Sequence, residues 1–312
     1  MKLGLDISGG DFAPRANVLG AILALDHLPD DVEIVLIGRE EEITPILKEK
    51  GVDSNRLSIV NAPDIITMED HPTRAIPQKP NSSISVGFEL LAQKEIDSFA
   101  STGNTGAMLV GSIYKVNSIP GVIRPCITSV LPVFGGGDSI ILDVGANADC
   151  KPDVLYQFAS LGSIYAKSVM NIKNPRIGLL NIGEEEGKGN LLTQSAYKLM
   201  KNSEDFNFIG NIEGRDLFTG KADVVVCDGY TGNIVLKQAE GMYSITRKLG
   251  MKDKYLERFN YENYGGTPIL GVNSDVIIGH GISNDVAVKG MLCLAHNVAS
   301  SGLTKKIKEA FK

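Results

Sequence analysis

Cysteine is scarce. Four residues in 312, at Cys126, Cys150, Cys227 and Cys293, form no C-x-x-C pair. That spacing offers neither a disulfide framework nor a zinc knuckle and fits a reducing compartment. Long apolar runs are missing too: the longest near the start, Val18 to Leu25, covers eight residues, well short of the ~20 a membrane span needs. Asp6 interrupts the start of the chain before an apolar h-region develops, so no secretory signal is expected. Basic excess is absent, with 31 basic residues against 37 acidic ones, net −6, which argues against a nucleic-acid binder. The expectation is a soluble, cytoplasmic protein.

Several catalytic signatures are also lacking. Lys188 is followed by Gly189 rather than Ser or Thr, so the Gly-rich stretch there is no NTP-binding P-loop. Gly187-Lys-Gly189 runs on into Asn190 and Leu191, which is not the dinucleotide fingerprint G-x-G-x-x-G. Gly281-Ile-Ser283-Asn is followed by Asp285, so there is no nucleophile elbow. Ser8 stands where a second carboxylate would complete an Asp-x-Asp after the first strand. Nucleotide transfer, esterase chemistry and aspartyl-phosphate chemistry lose their usual handles.

What is present is ordinary globular composition, 43% apolar and 22% charged, with glycine raised to 34 residues against the ~7% usual in proteins. Buried strands are predicted at 2–7, 32–37, 57–60, 98–101, 176–181, 206–209, 222–227 and 276–278. Between most of them lie apolar residues at helical spacing, such as Val18, Ile22 and Leu25, or Leu155, Phe158, Leu161, Tyr165 and Val169. This alternation predicts a mostly parallel sheet covered by helices. Cys126–Phe134 and Ser139–Val144, joined by Gly135-Gly136-Gly137-Asp138, read as an antiparallel hairpin, so the sheet should be mixed. No repeat, linker or composition shift marks a boundary; the expectation is one catalytic domain over 1–312 with a short basic helical excursion at about 241–264.

The glycines cluster in polar turns after predicted strands: 6–11, 101–106, 143–149, 181–190 and 227–233. Ligands of open α/β sheets bind at that edge. Asn104 precedes Ala107-Met-Leu-Val110, and Ser82 and Ser83 precede Ile84; free N–H groups at such helix starts favour an anion, although plain capping serves equally. Lys188, between two glycines and after Glu184, Glu185 and Glu186, could reach a bound anion as a point charge. The competing role is a solvated lysine paired with those glutamates. Asn233, at the start of a helix led by Ile234, could donate to an oxyanion or act as a cap. His280, between Gly279 and Gly281 after the strand at 276–278, is the histidine placed nearest the site. With Gly9, Gly10, Thr105, Gly106 and Asn190 of the same turns, these residues make up the candidate anion-binding set. The cysteines read as small core residues. The aspartates at strand ends, Asp6 and Asp143 among them, lack metal-ligand spacing and read as turn braces.

Taken together the turns resemble one family. Leu5-Asp-Ile-Ser-Gly-Gly-Asp-Phe-Ala-Pro14, Ser101-Thr-Gly-Asn-Thr-Gly-Ala107, Leu142-Asp-Val-Gly-Ala-Asn-Ala-Asp-Cys150, the 178–190 and 210–216 turns, Val225-Val-Cys-Asp-Gly-Tyr-Thr-Gly-Asn233 and the 264–271 turn follow one another as in the acyl-acyl-carrier-protein:phosphate acyltransferases (the PlsX family). The resemblance spans nearly the whole chain. It implies a three-layer, Rossmann-like α/β/α fold related to isocitrate and isopropylmalate dehydrogenases and to phosphotransacetylases. It also implies a homodimer, no cofactor, and acyl transfer from acyl-carrier protein to inorganic phosphate for phospholipid synthesis. The family's required lysine and asparagine fall on Lys188 and Asn233. On this reading Lys188 and the N–H groups near 104–106 hold phosphate while Asn233 stabilises the oxyanion. Two departures stand out: Ser8 replaces the family's methionine, and 241–264 is shorter and more charged than the membrane-docking helical hairpin of many relatives.

Two basic stretches remain. Ser244–Arg258 carries Arg247, Lys248, Lys252, Lys254 and Arg258 against Asp253 and Glu257, and Lys305–Lys312 carries four lysines against Glu309. They suit an acidic carrier protein or an anionic membrane surface, or are simply solvated faces. The rival functions are a short-chain phosphotransacetylase using acyl-coenzyme A and a non-catalytic carrier or membrane-surface adaptor.

Overall fold

β-Branched and aliphatic runs four to six residues long are too short for stable helices and bury both faces once paired, so they become the strands of parallel sheets. The computed structural model describes residues 1–312, the side chain of Tyr261 excepted. The chain begins with β1 (Lys2–Asp6), α1 (Arg15–Leu25), β2 (Glu33–Gly38), α2 (Glu40–Glu49) and β3 (Leu57–Asn61). It continues with α3 (Pro72–Gln78), α4 (Ser83–Ala92), β4 (Ser98–Ser101) and α5 (Thr105–Gly111). The hairpin β5 (Cys126–Pro132) and β6 (Asp138–Leu142) follows, then α6 (Pro152–Ser168), β7 (Arg176–Leu180), α7 (Leu191–Met200) and β8 (Asn207–Ile212). The last elements are β9 (Val224–Val226), α8 (Gly229–Lys248), β10 (Thr267–Leu270), β11 (Asp275–Ile278), α9 (Asp285–Ser301) and α10 (Leu303–Ala310).

These elements form two compact units, one of Met1–Ser118 with Tyr261–Thr304, the other of Ile119–Asn260 with Lys305–Lys312. In the first the strand order is β3-β2-β1-β4-β11-β10. Every neighbouring pair is parallel except β10 with β11. The chain moves from β1 outward to β2 and β3, then returns to place β4 on the other side of β1. That reversal opens a crevice at the carboxyl ends of β1 and β4. α4 covers the face carrying Phe99, whose ring meets Phe88 edge-on at 5.2 Å. α9 packs against β1, β4, β11 and α1. Phe88, Phe99, Leu3, Leu5 and Ile34 are wholly buried in this core.

In the second unit the order is β5-β6-β9-β7-β8, with β6, β9, β7 and β8 parallel and β5 antiparallel to β6. The hairpin expected from the glycine run is therefore present. α6 packs against β6, β9 and α7, with Leu155, Phe158 and Leu161 buried. The sequence reading did not find β10. Its four residues, Thr-Pro-Ile-Leu, lie between glycines and carry no alternation long enough to read, and pairing with β11 creates the strand.

Candidate active site

In the second unit four parallel strands lie side by side, and the ends of three of them, β6, β9 and β7, carry polar turns of the candidate set. Lys188 stands in the turn after β7 and Asn233 in the helix after β9. Those strands pair directly, Leu179 with Val226, so the two turns start about 4.8 Å apart, the spacing of neighbouring strands.

The Lys188 turn is held by amides. Asn181 Nδ2 donates to the Lys188 carbonyl at 3.1 Å. Asn211 Nδ2 donates to the Glu185 carbonyl at 3.0 Å, and Gln194 Nε2 to the carbonyls of Gly187 and Gly189, both at 3.0 Å. The glutamates are not partners of Lys188. Glu184 pairs with Lys221 at 2.7 Å and Glu186 with Lys201 at 2.7 Å. Among the described residues no carboxylate pairs with Lys188, whose side chain is exposed. Its charge remains available to an anion.

Asn233 also differs from the capping alternative. α8 starts at Gly229, not near Ile234, and Asp228 is its cap, accepting from Thr231 N at 2.8 Å. Asn233 lies one turn inside the helix, exposed, with its amide not spent on the helix end. Glycine at 229 and 232 disfavours a helix by propensity. Packing overrides this, because a Cβ on Gly232 would collide with the Asp143 carbonyl, so the helix can pass there only without one. Asn190, by contrast, is a cap: its Oδ1 accepts from Thr193 N at 2.9 Å at the start of α7.

In the first unit the candidates gather where β1, β4 and β11 end. The hub is Asp6, wholly buried. Its carboxylate accepts from Ser8 N at 2.9 Å and from Ser101 Oγ at 2.6 Å. Burial pushes its pKa up, against hydrogen bonds from Ser101, Ser83 and the backbone of Ser8 and Gly9 that pull it down. A Cβ on Gly9 would stand 2.6 Å from the Gly103 backbone, so the two glycine turns touch. Gly10 faces Thr102 and Gly281, and Asp11 N donates to the Gly281 carbonyl at 2.7 Å, which brings half-buried His280 to the same edge.

Three further side chains at that edge are already occupied. Ser82 is buried and caps α4 through Ser85 N. Ser83 is buried beside the Asp6 carboxyl, whose pKa its hydroxyl helps to hold down. Asn104 caps α5 through Ala107 N at 2.9 Å and donates to the carbonyls of Thr67, Met68 and Asp70. What these residues leave toward an anion is backbone N–H, as at Thr105, exposed at the start of α5, and half-buried Gly106. Buried Asn17 escaped the sequence reading. Its Nδ2 donates to the carbonyls of Asp6, Ile7 and Gly9, clamping the first turn. The signal was one amide inside an apolar helix pattern.

Thiol nucleophiles are disfavoured. Burial, then the charge of Asp143, pushes Cys126 well above the usual thiol range, and burial does the same to Cys227. Cys150 is pushed up to about 12 by burial, Asp143 and Asp228. These thiols stay protonated near neutral pH. One acidic cluster, Glu184, Glu213 and Asp216, could fit a cation by distance. The protein supplies its own: Lys221 bridges Glu184 and Asp216 at 2.7 and 2.9 Å, and Arg215 pairs with Glu213.

The pattern of the family described as fatty acid synthesis protein matches residues 1–306. The chain belongs to that family. Among its relatives, the phosphate acyltransferase of Dictyoglomus thermophilum is 44% identical over 99% of this chain and 97% of that protein. The phosphate acyltransferase of Halothermothrix orenii is 40% identical over 99% of this chain and 98% of its own. A solved phosphotransacetylase from Streptococcus pyogenes is similar with a TM-score of 0.69 at 17% identity, covering 96% of this chain and 94% of that one. A 4-hydroxythreonine-4-phosphate dehydrogenase from Klebsiella pneumoniae gives 0.57 at 12% identity, over 95% and 97%. At such identities the likeness shows the fold alone, and it agrees with the α/β, mixed and mostly parallel architecture expected for the family.

Proposed function

We propose that the protein transfers a fatty acyl group from acyl-carrier protein to inorganic phosphate, supplying acyl phosphate for phospholipid synthesis. The observation that carries this reading is the placing of Lys188 and Asn233, both exposed, on the segments that follow the paired strands β7 and β9, within a member of the fatty acid synthesis family. Lys188 attracts phosphate as a point charge, and Asn233 donates to the oxyanion. Exposed apolar side chains in the same turns support a fatty substrate: Ile182 at 80% and Leu191 at 85% exposure flank Lys188, and Tyr230 and Ile234 flank Asn233.

A phosphate oxygen attacks the thioester carbonyl carbon, forming a C–O bond. The tetrahedral oxyanion collapses, the C–S bond breaks, and the carrier thiolate leaves. The proton of hydrogen phosphate ends on the thiol, so acyl thioester plus hydrogen phosphate gives acyl phosphate plus free thiol. Phosphate is a competent nucleophile near neutral pH and thiolate a good leaving group, so positioning and charge stabilisation carry most of the catalysis. No covalent acyl-enzyme and no cofactor is needed. Within the first unit, the backbone N–H groups of Gly10, Thr105 and Gly106 are candidate anion donors at that unit's own strand ends.

The expected assembly is a homodimer whose external partners are acyl-carrier protein and an anionic membrane surface. No helix among the described residues is long and apolar enough to cross a membrane. Surface attachment is supported by Met242, Ile245, Leu249 and Met251, exposed beside the exposed Lys248, Lys252 and Lys254. The two arginines of that stretch are spent inside the unit, Arg247 on Glu257 at 2.7 Å and Arg258 on Asp138 at 2.7 Å. Attachment therefore depends on the lysines, and failure to co-sediment with anionic vesicles would exclude it. The catalytic reading is tested by thiol release from palmitoyl-acyl-carrier protein with and without inorganic phosphate, beside acetyl-coenzyme A. Phosphate-dependent release from the carrier alone supports it; turnover of acetyl-coenzyme A alone makes the protein a phosphotransacetylase, and no release with either makes it an adaptor.

A further inference from the structure

We propose that Asp143 is a positioning residue for Asn233, a role that rests on the reading of Asn233 as an oxyanion donor. Asp143 is wholly buried at the carboxyl end of β6. Its Oδ1 accepts from Ile127 N at 2.9 Å and Ala146 N at 3.3 Å, and its Oδ2 from Asn147 N at 2.6 Å and Asn147 Nδ2 at 3.0 Å. Asn147 Nδ2 also donates to the Pro125 carbonyl at 2.8 Å, tying the turn to the chain before β5. One carboxylate therefore sets the whole 143–147 turn.

That turn seats the first turn of α8. Gly229 N, at the start of the helix, donates to the Asn147 carbonyl at 2.8 Å. Three residues on, Gly232 lies against the Asp143 carbonyl so closely that no Cβ fits. Asn233 comes next. Its Oδ1 lies 3.7 Å from the place a Cβ would take on Gly145, so the amide lies over the middle of the turn that Asp143 shapes. The helix is pinned on both sides of its first turn, and the direction of Asn233 follows.

The carboxylate is costly to keep. Burial pushes its pKa up, opposed by hydrogen bonds from Ile127, Asn147 and Ala146. Among the described residues it has no cationic partner. A buried carboxylate without a counter-charge is a poor source of stability. Four convergent donors on one acceptor group are, in contrast, an effective way to fix a backbone loop against a helix end.

A double-mutant cycle decides the matter, with kcat and KM for phosphate and for palmitoyl-acyl-carrier protein measured on Asp143→Asn, Asn233→Ala and the pair. Asp143→Asn keeps the shape and turns an acceptor into a donor facing Asn147. It should lower kcat at least ~10-fold with KM for phosphate within about twofold, and lower it by less than about threefold on the Asn233→Ala background. A merely structural role predicts losses that multiply, and that result, or unchanged kcat in Asp143→Asn, overturns the proposal while leaving Asn233 as donor. Full activity of Asn233→Ala overturns the donor reading and the positioning role together. If Asp143→Asn fails to fold by circular dichroism, Asn147→Ser is judged by the same criteria, since it removes one donor and leaves the carbonyl that receives Gly229.

Discussion

The Asn181 amide donates to the carbonyl of Lys188 while its own oxygen accepts from Ile182 N at 2.9 Å, so one side chain at the end of β7 closes the loop on itself. The backbone of Lys188 is fixed and its exposed ammonium is not part of the clamp. Removing that ammonium should cost activity without stability. Lys188→Ala is expected to lose about 10²–10³ in kcat/KM, comparable to the loss of one charge-stabilising donor. Its unfolding free energy should stay within about 0.5 kcal/mol of wild type, as for surface substitutions generally. Thiol-release kinetics beside a urea melt check both halves.

Gly189 should behave in the opposite way. Its φ is +93°, and a Cβ there would run into the Thr193 hydroxyl and the Asn181 amide. Gly189→Ala therefore attacks the clamp itself. Expected are a loss of about 1–3 kcal/mol of stability from the strained backbone and a rise in KM for phosphate. Unchanged phosphate kinetics would separate the loop geometry from anion binding.

Ile182 and Leu191 test the acyl reading. Both are almost fully exposed, so replacing either by serine should leave the melting temperature unchanged. If they receive the fatty chain, each substitution should raise KM for palmitoyl-acyl-carrier protein by roughly threefold to tenfold, part of the value of burying one aliphatic side chain. KM for phosphate should not move. A rise in both constants would point to loop distortion instead.

Acid sensitivity should be visible at Asp223. Burial pushes this carboxyl up, but hydrogen bonds from the Arg176 guanidinium and backbone N–H, at 2.8 to 3.0 Å, outweigh it and hold the pKa below the ordinary aspartate value. A depressed folded-state pKa contributes stability that is present above the unfolded pKa and lost as pH falls through the folded one. Asp223→Asn should thus be less stable than wild type by about 1–2 kcal/mol at pH 7, and the gap should close below about pH 4, the range of an unperturbed aspartate. Denaturant melts across pH 3–7 measure it. A constant gap would show that the pairing contributes through shape and not charge.

Some of this was open to a reading of residues alone. Ser98–Ser101 and the hairpin across Gly135–Asp138 emerge where the pattern puts them, since strand and turn signals depend on residues a few positions apart. Lys188 and Asn233 stood out by type and setting. Their surroundings did not. The ion pair that frees Lys188 joins Glu184 to Lys221, 37 positions on, and nothing local to Glu184 announces it. Residue pattern alone puts the start of α8 near Ile234 because glycine in a helix reads as a break, whereas at Gly232 it is what lets the helix pass Asp143.

The sequence by itself determined the strand–helix alternation, the placing of polar glycine turns at strand ends and the family, all of which follow from local spacing and residue chemistry. Only the tertiary structure decided which turns become neighbours. It set β9 between β6 and β7, and so brought the Asn233 helix against the Asp143 turn on one side and beside the Lys188 turn on the other. The physical reason is that strand order is fixed by how helices and sheet bury their apolar faces together, a sum over contacts between residues far apart in the chain.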